Sequence, residues 1–181
     1  MEDSLMAGEN MTENHQMGYK NVIGLDYGQK TVGVAASDAL GITAQGLEII
    51  RRKSEKKLRQ TLARIDGIAR ERGASAIVIG FPQKLRGGLS ERTARTLEFA
   101  KMVEKRCGLP VIMWDERLTT VAADRTMDET ETADHKEYVD EIAAMLILQG
   151  YLDCVSQGAD VPKVDIEGLL AGYKSEHPDF I

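Results

Sequence analysis

Cysteine and histidine are scarce in this chain, and their scarcity removes several kinds of chemistry. The two cysteines, Cys107 and Cys154, lie far apart and outside any close pairing motif. That excludes a disulfide framework and fits a reduced, cytosolic protein, with both thiols read as small buried hydrophobes. The three histidines, His15, His135 and His177, fall in expected loops or near the C-terminus, so no Ser-His or Cys-His nucleophilic pair is indicated. No uncharged apolar run reaches the roughly eighteen residues that a membrane-spanning helix needs. The N-terminal residues lack a basic segment followed by an apolar run, so no signal peptide is expected. No internal repeat is present.

Apolar residues, by contrast, make up 43% of the 181 residues, enough for one domain with a buried core. The net charge of −6 argues at first against a nucleic-acid partner. Its distribution changes that argument. Residues 1–20 are net −3, residues 21–120 carry eighteen bases and eleven acids, and residues 121–181 carry four bases and fourteen acids. The densest basic stretch, Arg51 to Arg72, sets nine bases against Glu55, Asp66 and Glu71. Phosphate binding depends on a local field rather than on net charge. A solvated helix face accounts for the same stretch equally well.

Residues 1–20 are polar and without period, and read as a disordered arm. Asn21–Tyr27 and Thr31–Ser37 read as two strands of a hairpin broken at Gly28. Ile42–Ile50 is a third, less regular strand because of Gly46. Ser54 is expected to cap a helix running to about Arg72 and stopped by Gly73, with Leu58, Leu62, Ile65, Ile68 and Ala69 at helical spacing. Ala74–Gly80 reads as a buried parallel strand. Ser90 caps a helix to about Arg106, ended by Gly108 and Pro110, and Val111–Glu116 is the fifth strand. Thr119 is expected to start a short helix to about Met127, followed by an acidic loop over Asp128–His135. A last helix starts near Lys136, and its Ile142–Leu148 segment is apolar on nearly every face, the mark of a buried helix. Residues 156–181 read as a loosely ordered tail. The order predicts an α/β domain over 21–155: a mixed five-stranded sheet flanked by helices, with right-handed crossovers.

Four carboxylates fall where ligands gather in such sheets. Asp26 ends the first strand, Asp115 and Glu116 end the fifth, and Asp140 opens an otherwise apolar helix. An acid beside an apolar run is costly unless paired or bound to metal. The first and fifth strands should be parallel, which brings their C-terminal ends to one edge. Three acids converging there, with no His or Cys cluster, suit a hard cation such as Mg²⁺ or Mn²⁺. Spacing leaves the choice between Asp115 and Glu116 open, because adjacent strand residues face opposite ways. The Gly24–Lys30 turn also reads as a phosphate loop, but a chain of this length has little room for the remaining nucleotide-binding segments. Beyond Pro82, Lys84, Arg86, Gly87 and Gly88 are expected to make a mobile basic loop.

Together these segments resemble the YqgF/RuvX family, pre-16S rRNA nucleases related to Holliday-junction resolvases. The resemblance spans about residues 21–153. It is carried by Gly24-Leu-Asp-Tyr-Gly-Gln-Lys-Thr-Val-Gly-Val-Ala, Val78-Ile-Gly-Phe-Pro, Trp114-Asp-Glu-Arg-Leu-Thr-Thr and Val139-Asp-Glu-Ile-Ala-Ala-Met-Leu-Ile-Leu. It implies a ribonuclease H-like fold and a divalent-metal-dependent nuclease in which Asp26, Glu116 and Asp140 are the catalytic, metal-binding acids. Lys30 and Arg117 fall on the family's basic positions and are expected to meet phosphate. Lys84 and Arg86 depart from the residues usual after Pro82 and strengthen phosphate attraction there. Ala122 replaces a usual Glu that would complete a capping box. Lys136-Glu-Tyr-Val-Asp lacks the usual Gly. The sequence itself leads to the expectation of a cytoplasmic protein, a monomer or weak dimer with no obvious dimer face and no membrane partner. RNA is its favoured substrate, with processing of the 5′ end of a 16S rRNA precursor, within ribosomal precursor particles, as the task implied. Cleavage of branched DNA and a non-catalytic nucleic-acid-binding module are the alternatives.

Overall fold

The computed structural model describes residues 19–54, 57–81, 89–116 and 135–180, the side chains of residues 135–138 excepted. The elements are β1 (Val22–Tyr27), β2 (Thr31–Ser37), β3 (Ala44–Arg51), α1 (Leu58–Glu71), β4 (Ala76–Phe81), α2 (Glu91–Cys107), β5 (Val111–Asp115), α3 (His135–Ser156) and α4 (Ile166–Glu176). The strands form one sheet in the order β3-β2-β1-β4-β5. The β1–β2 and β2–β3 pairs are antiparallel, and β4 is parallel to both β1 and β5. This is the expected mixed five-stranded α/β sheet. A register shift beside Val34/Ala35 marks the irregularity of β3 near Gly46.

Alternation along the strands divides the interior in two. Ile23, Leu25 and Tyr27 of β1 join Ile77, Ile79 and Phe81 of β4 in a core under α1 and α2. Val22, Val78 and Trp114 face the other way, against Ala144, Ile147, Leu148, Tyr151 and Leu152 of α3. Gly24 lets α3 settle onto β1: a Cβ there would come within 2.6 Å of the Leu148 Cβ.

Several expectations need correction. Helix α1 begins at Leu58 rather than at Ser54, with Lys57 at its N-cap and no side-chain cap. The Ser54 carbonyl instead closes a turn with the Lys57 N–H. Gly73 follows the helix with φ +58°, the left-handed conformation expected at its end. The cap at Ser90 is present, accepting from the Thr93 N–H at 3.2 Å. Helix α3 is not buried all round: Ile142, Met145 and Leu146 are only half-buried, because the sheet covers one side of it. The segment read as a loose tail contains α4, whose Leu170 and Tyr173 are buried in the core shared with α2. Its polar composition hid that apolar pair. The Thr119 helix, the Asp128–Asp134 loop, Arg117, Lys84, Arg86 and the arm over residues 1–18 lie outside the described residues.

Candidate active site

Asp26 lies one residue before the end of β1 and is flanked by glycine on both neighbouring strands. Its cross-strand partner on β2 is Gly33. On β4, the Leu25–Ile79 pairing carried one residue further brings it to Gly80. Residues in register share a face, so all three look toward α3. These glycines leave room that other chain segments occupy. A Cβ on Gly33 would fall 1.8 Å from the Asp140 carbonyl oxygen. A Cβ on Gly80 would meet Ile147 Cδ1 at 2.3 Å and Glu116 Oε1 at 2.9 Å.

The Asp140 backbone thus rests on the residue paired with Asp26, about one strand spacing of 4.8 Å away. Glu116 reaches over Gly80 from the end of β5, on the α3 side of the sheet. Asp115 shares the parity of Met113, which packs in the opposite core. Local structure therefore separates the two adjacent acids that spacing alone left open.

The electrostatics place Asp26 within reach of the other two acids. Burial, then Glu116, then Asp140 push the Asp26 carboxyl up to about 7, against the pull of Arg92. Burial also raises Glu116, with Arg92 opposing and Asp115 adding to the rise. The donor set is all hard oxygen, and burial together with the neighbouring acids opposes the ionisation of Asp26. A divalent cation relieves both penalties, so these residues fit Mg²⁺ or Mn²⁺ chemically. Among the described residues, however, no three acids, histidines or cysteines are drawn together closely enough to form a coordination shell. The side chains share an electrostatic neighbourhood and would have to close around an ion.

The basic residues divide sharply. Lys30 is exposed in the β1–β2 turn, on the same sheet edge as Asp26. Helix α1 carries much of the Arg51–Arg72 stretch, but it packs in the core under the other face of the sheet. Its Arg64 is engaged by Glu48 at 2.8 Å, and Arg70 by Asp66 at 3.0 Å. Arg92, in the first turn of α2, was not singled out from the sequence, yet it acts on both Asp26 and Glu116. The available signal was indirect. The Ser90 cap starts α2 just after β4, and a crossover helix of this kind begins at the C-terminal edge of the sheet.

A family model described as "RuvX: Holliday junction resolvase" matches residues 20–154. A protein of Agathobacter rectalis is 59% identical over 137 residues, covering 75% of this chain and 96% of its own length. Proteins of Lachnospira eligens and Symbiobacterium thermophilum are 49% and 48% identical, over 73% and 72% of this chain and 96% and 90% of their own lengths. All three carry the name "Putative pre-16S rRNA nuclease". Among solved structures, Thermus thermophilus RuvC with a Holliday junction substrate superposes with a TM-score of 0.53 at 14% identity, covering 80% of this chain and 99% of that one. A second Thermus thermophilus RuvC structure gives 0.52 at 14% identity, over 79% and 99% of the two chains. At that identity the likeness shows the fold, which is ribonuclease H-like.

Proposed function

The chain belongs to the RuvX family, and from that membership together with its acid cluster we propose that it is a divalent-metal-dependent nuclease hydrolysing phosphodiester bonds. The observation that supports the reading is that Gly33 and Gly80, the glycines in register with Asp26, lie under the Asp140 backbone and the Glu116 carboxylate on the α3 side of one sheet edge. Asp26, Glu116 and Asp140 would hold the cation. When bound, it supplies the positive charge that lowers the pKa of water and offsets charge on a phosphodiester.

The chain's own residues have three tasks. The acids orient the reacting end of the substrate against a fixed sheet edge. Lys30, on the adjoining turn, attracts the phosphate, as would Arg117, Lys84 and Arg86. Arg92 balances the negative charge of the acids and offsets charge on the phosphoryl oxygens. No side chain need act as nucleophile.

RNA is the substrate favoured by the names of the relatives, with the 5′ end of a 16S rRNA precursor, in its ribosomal particle, as the specific target. That task would place the protein in the cytoplasm. No helix among the described residues is long and apolar enough to cross a membrane. The description of the matching family keeps a second reading in view, cleavage of branched DNA.

The test is a panel of rRNA precursor, single-stranded RNA and a four-way DNA junction, with Mg²⁺, Mn²⁺ or chelator, comparing wild type with Asp26→Asn. Asn keeps the size of the side chain and removes its charge. Cleavage should need the divalent ion and vanish in Asp26→Asn. Equal activity in the two proteins would put the active site elsewhere. Inactivity of both across the panel would favour the binding-module alternative.

A further inference from the structure

Beside the β1–β2 turn lies a cleft of ≈ 230 Å³ that the acid cluster does not use, lined by Tyr27, Gly28, Gln29, Glu91, Arg92 and Arg95. We propose that it is a phosphate subsite, receiving a backbone phosphate of the nucleic-acid strand next to the one cleaved. The proposal rests on the nuclease reading above for the identity of the strand.

Position is the first argument. Tyr27 and Gly28 directly follow Asp26, and Arg92 lines the cleft while acting on Asp26 and Glu116. The cleft and the acids therefore adjoin, with one guanidinium between them. A strand whose phosphate lies at the acids has its neighbouring phosphates close to this opening.

The second argument is Arg52, which is 8% exposed. Its backbone N–H donates to the Lys30 carbonyl at 2.8 Å. Its Nη2 donates to the carbonyl of Gly28, a cleft residue. Its guanidinium lies 4.7 Å from the ring centroid of Tyr27, which itself stacks on Phe99 at 4.2 Å. The Arg52 Nε and Nη1 atoms are buried without any hydrogen-bond partner, and no carboxylate pairs with it among the described residues. A buried charge is ordinarily paired. Here the positive charge stands behind the cleft wall, and an anion in the cleft would supply the missing counter-charge.

Composition is the third argument. Among the described residues, three guanidiniums face or back the cleft against one lining carboxylate, Glu91, which pairs with Arg95 at 2.7 Å. Arg95 is steadied further by Phe180, whose ring centroid lies 5.5 Å from its guanidinium carbon. Arg92 forms no ion pair among the described residues. Planar guanidiniums match the geometry of a phosphate, while the Gln29 amide adds a polar contact of either sense.

The experiment uses the uncleaving Asp26→Asn protein and a labelled single-stranded RNA oligonucleotide, with affinity measured across a range of KCl. Arg92→Gln and Arg95→Gln should weaken binding. Each should lower the slope of log affinity against log salt by about 0.7, the value for one lost single-strand phosphate contact. Arg59→Gln, an identical charge change on the exposed surface of α1, should leave the slope where it was. Arg95 is a partly exposed helix residue, so its replacement tests the cleft even if Arg92→Gln folds poorly. An unchanged slope for Arg95→Gln, or an equal fall for Arg59→Gln, would overturn the subsite. The nuclease reading fails on a different measurement, cleavage by wild type against Asp26→Asn, so either failure is recognisable by itself.

Discussion

Burial drives the Asp26 carboxyl up to about 7, and Glu116 and Asp140 push the same way while Arg92 pulls it back. An unfolded aspartate titrates near 3.9. Between these values the native state holds a proton that the unfolded state has released. The stability contributed by the protonated form is complete below about pH 4 and is lost as pH rises toward about 7. Asp26→Asn removes that titration. Without divalent cation, the variant should be more stable than wild type near neutral pH, by roughly 1 to 4 kcal/mol at 1.36 kcal/mol per pKa unit. The difference should shrink toward about pH 4. Urea unfolding of both proteins, with chelator, at acid and neutral pH checks this, and parallel profiles would count against it. At this scale the sequence was informative about Asp26 and Asp140, whose charges beside apolar runs needed explanation. It was silent on Glu116 against Asp115, because their parity depends on Trp114 and Met113 entering opposite cores. It was silent on Arg92, which reaches the acids only through the placement of α2.

Helix α3 crosses the sheet on glycines, and that packing is what delivers Asp140. At Gly33 an added Cβ would lie 1.8 Å from the Asp140 carbonyl oxygen and 2.4 Å from its carbonyl carbon, both backbone atoms. Backbone cannot swing aside as a flexible side chain can. Gly33→Ala should therefore lift the start of α3 from β2, costing about 1–3 kcal/mol by overpacking and lowering cleavage more than stability. Full activity with an unchanged melting temperature would mean that α3 is not seated as described. Periodicity gave these elements well, including α2 between Ser90 and Gly108. It failed at α4, where two Pro, three Gly and many polar residues mask a short amphipathic helix. The Lys101–Glu167 and Lys174–Glu98 pairs, both 2.6 Å, tie α4 to α2, but exposed ion pairs contribute little. Burial of Leu170 and Tyr173 holds it. Leu170→Ala should destabilise the protein by about 2–5 kcal/mol in denaturant unfolding. A loss under about 0.5 kcal/mol, typical of a surface change, would show α4 to be detached in solution.

Across the whole molecule, the order of elements was enough to predict the architecture: a meander followed by crossovers leaves β1 between an antiparallel and a parallel neighbour. The same topology gathers acids from the beginning, middle and end of the domain. In the proposed site Asp26, Glu116 and Asp140 share one edge only when β1, β5 and α3 have all docked, so a cation that needs all three would bind the folded chain alone. Binding of that kind stabilises the entire fold by RT ln(1 + [L]/Kd), about 2.7 kcal/mol at a free concentration one hundred times Kd. Mn²⁺ should therefore raise the melting temperature of wild type, and chelator should reverse the rise. The effect should grow from acid to neutral pH, because the acids must release protons to bind the ion and Asp26 holds its proton up to about 7. In Asp26→Asn the rise should be small at every pH. This readout does not depend on cleavage, so it tests the metal site even if the right nucleic acid has not been found. A thermal titration that shifts wild type and Asp26→Asn alike would place the ion away from Asp26 and overturn the proposed metal site.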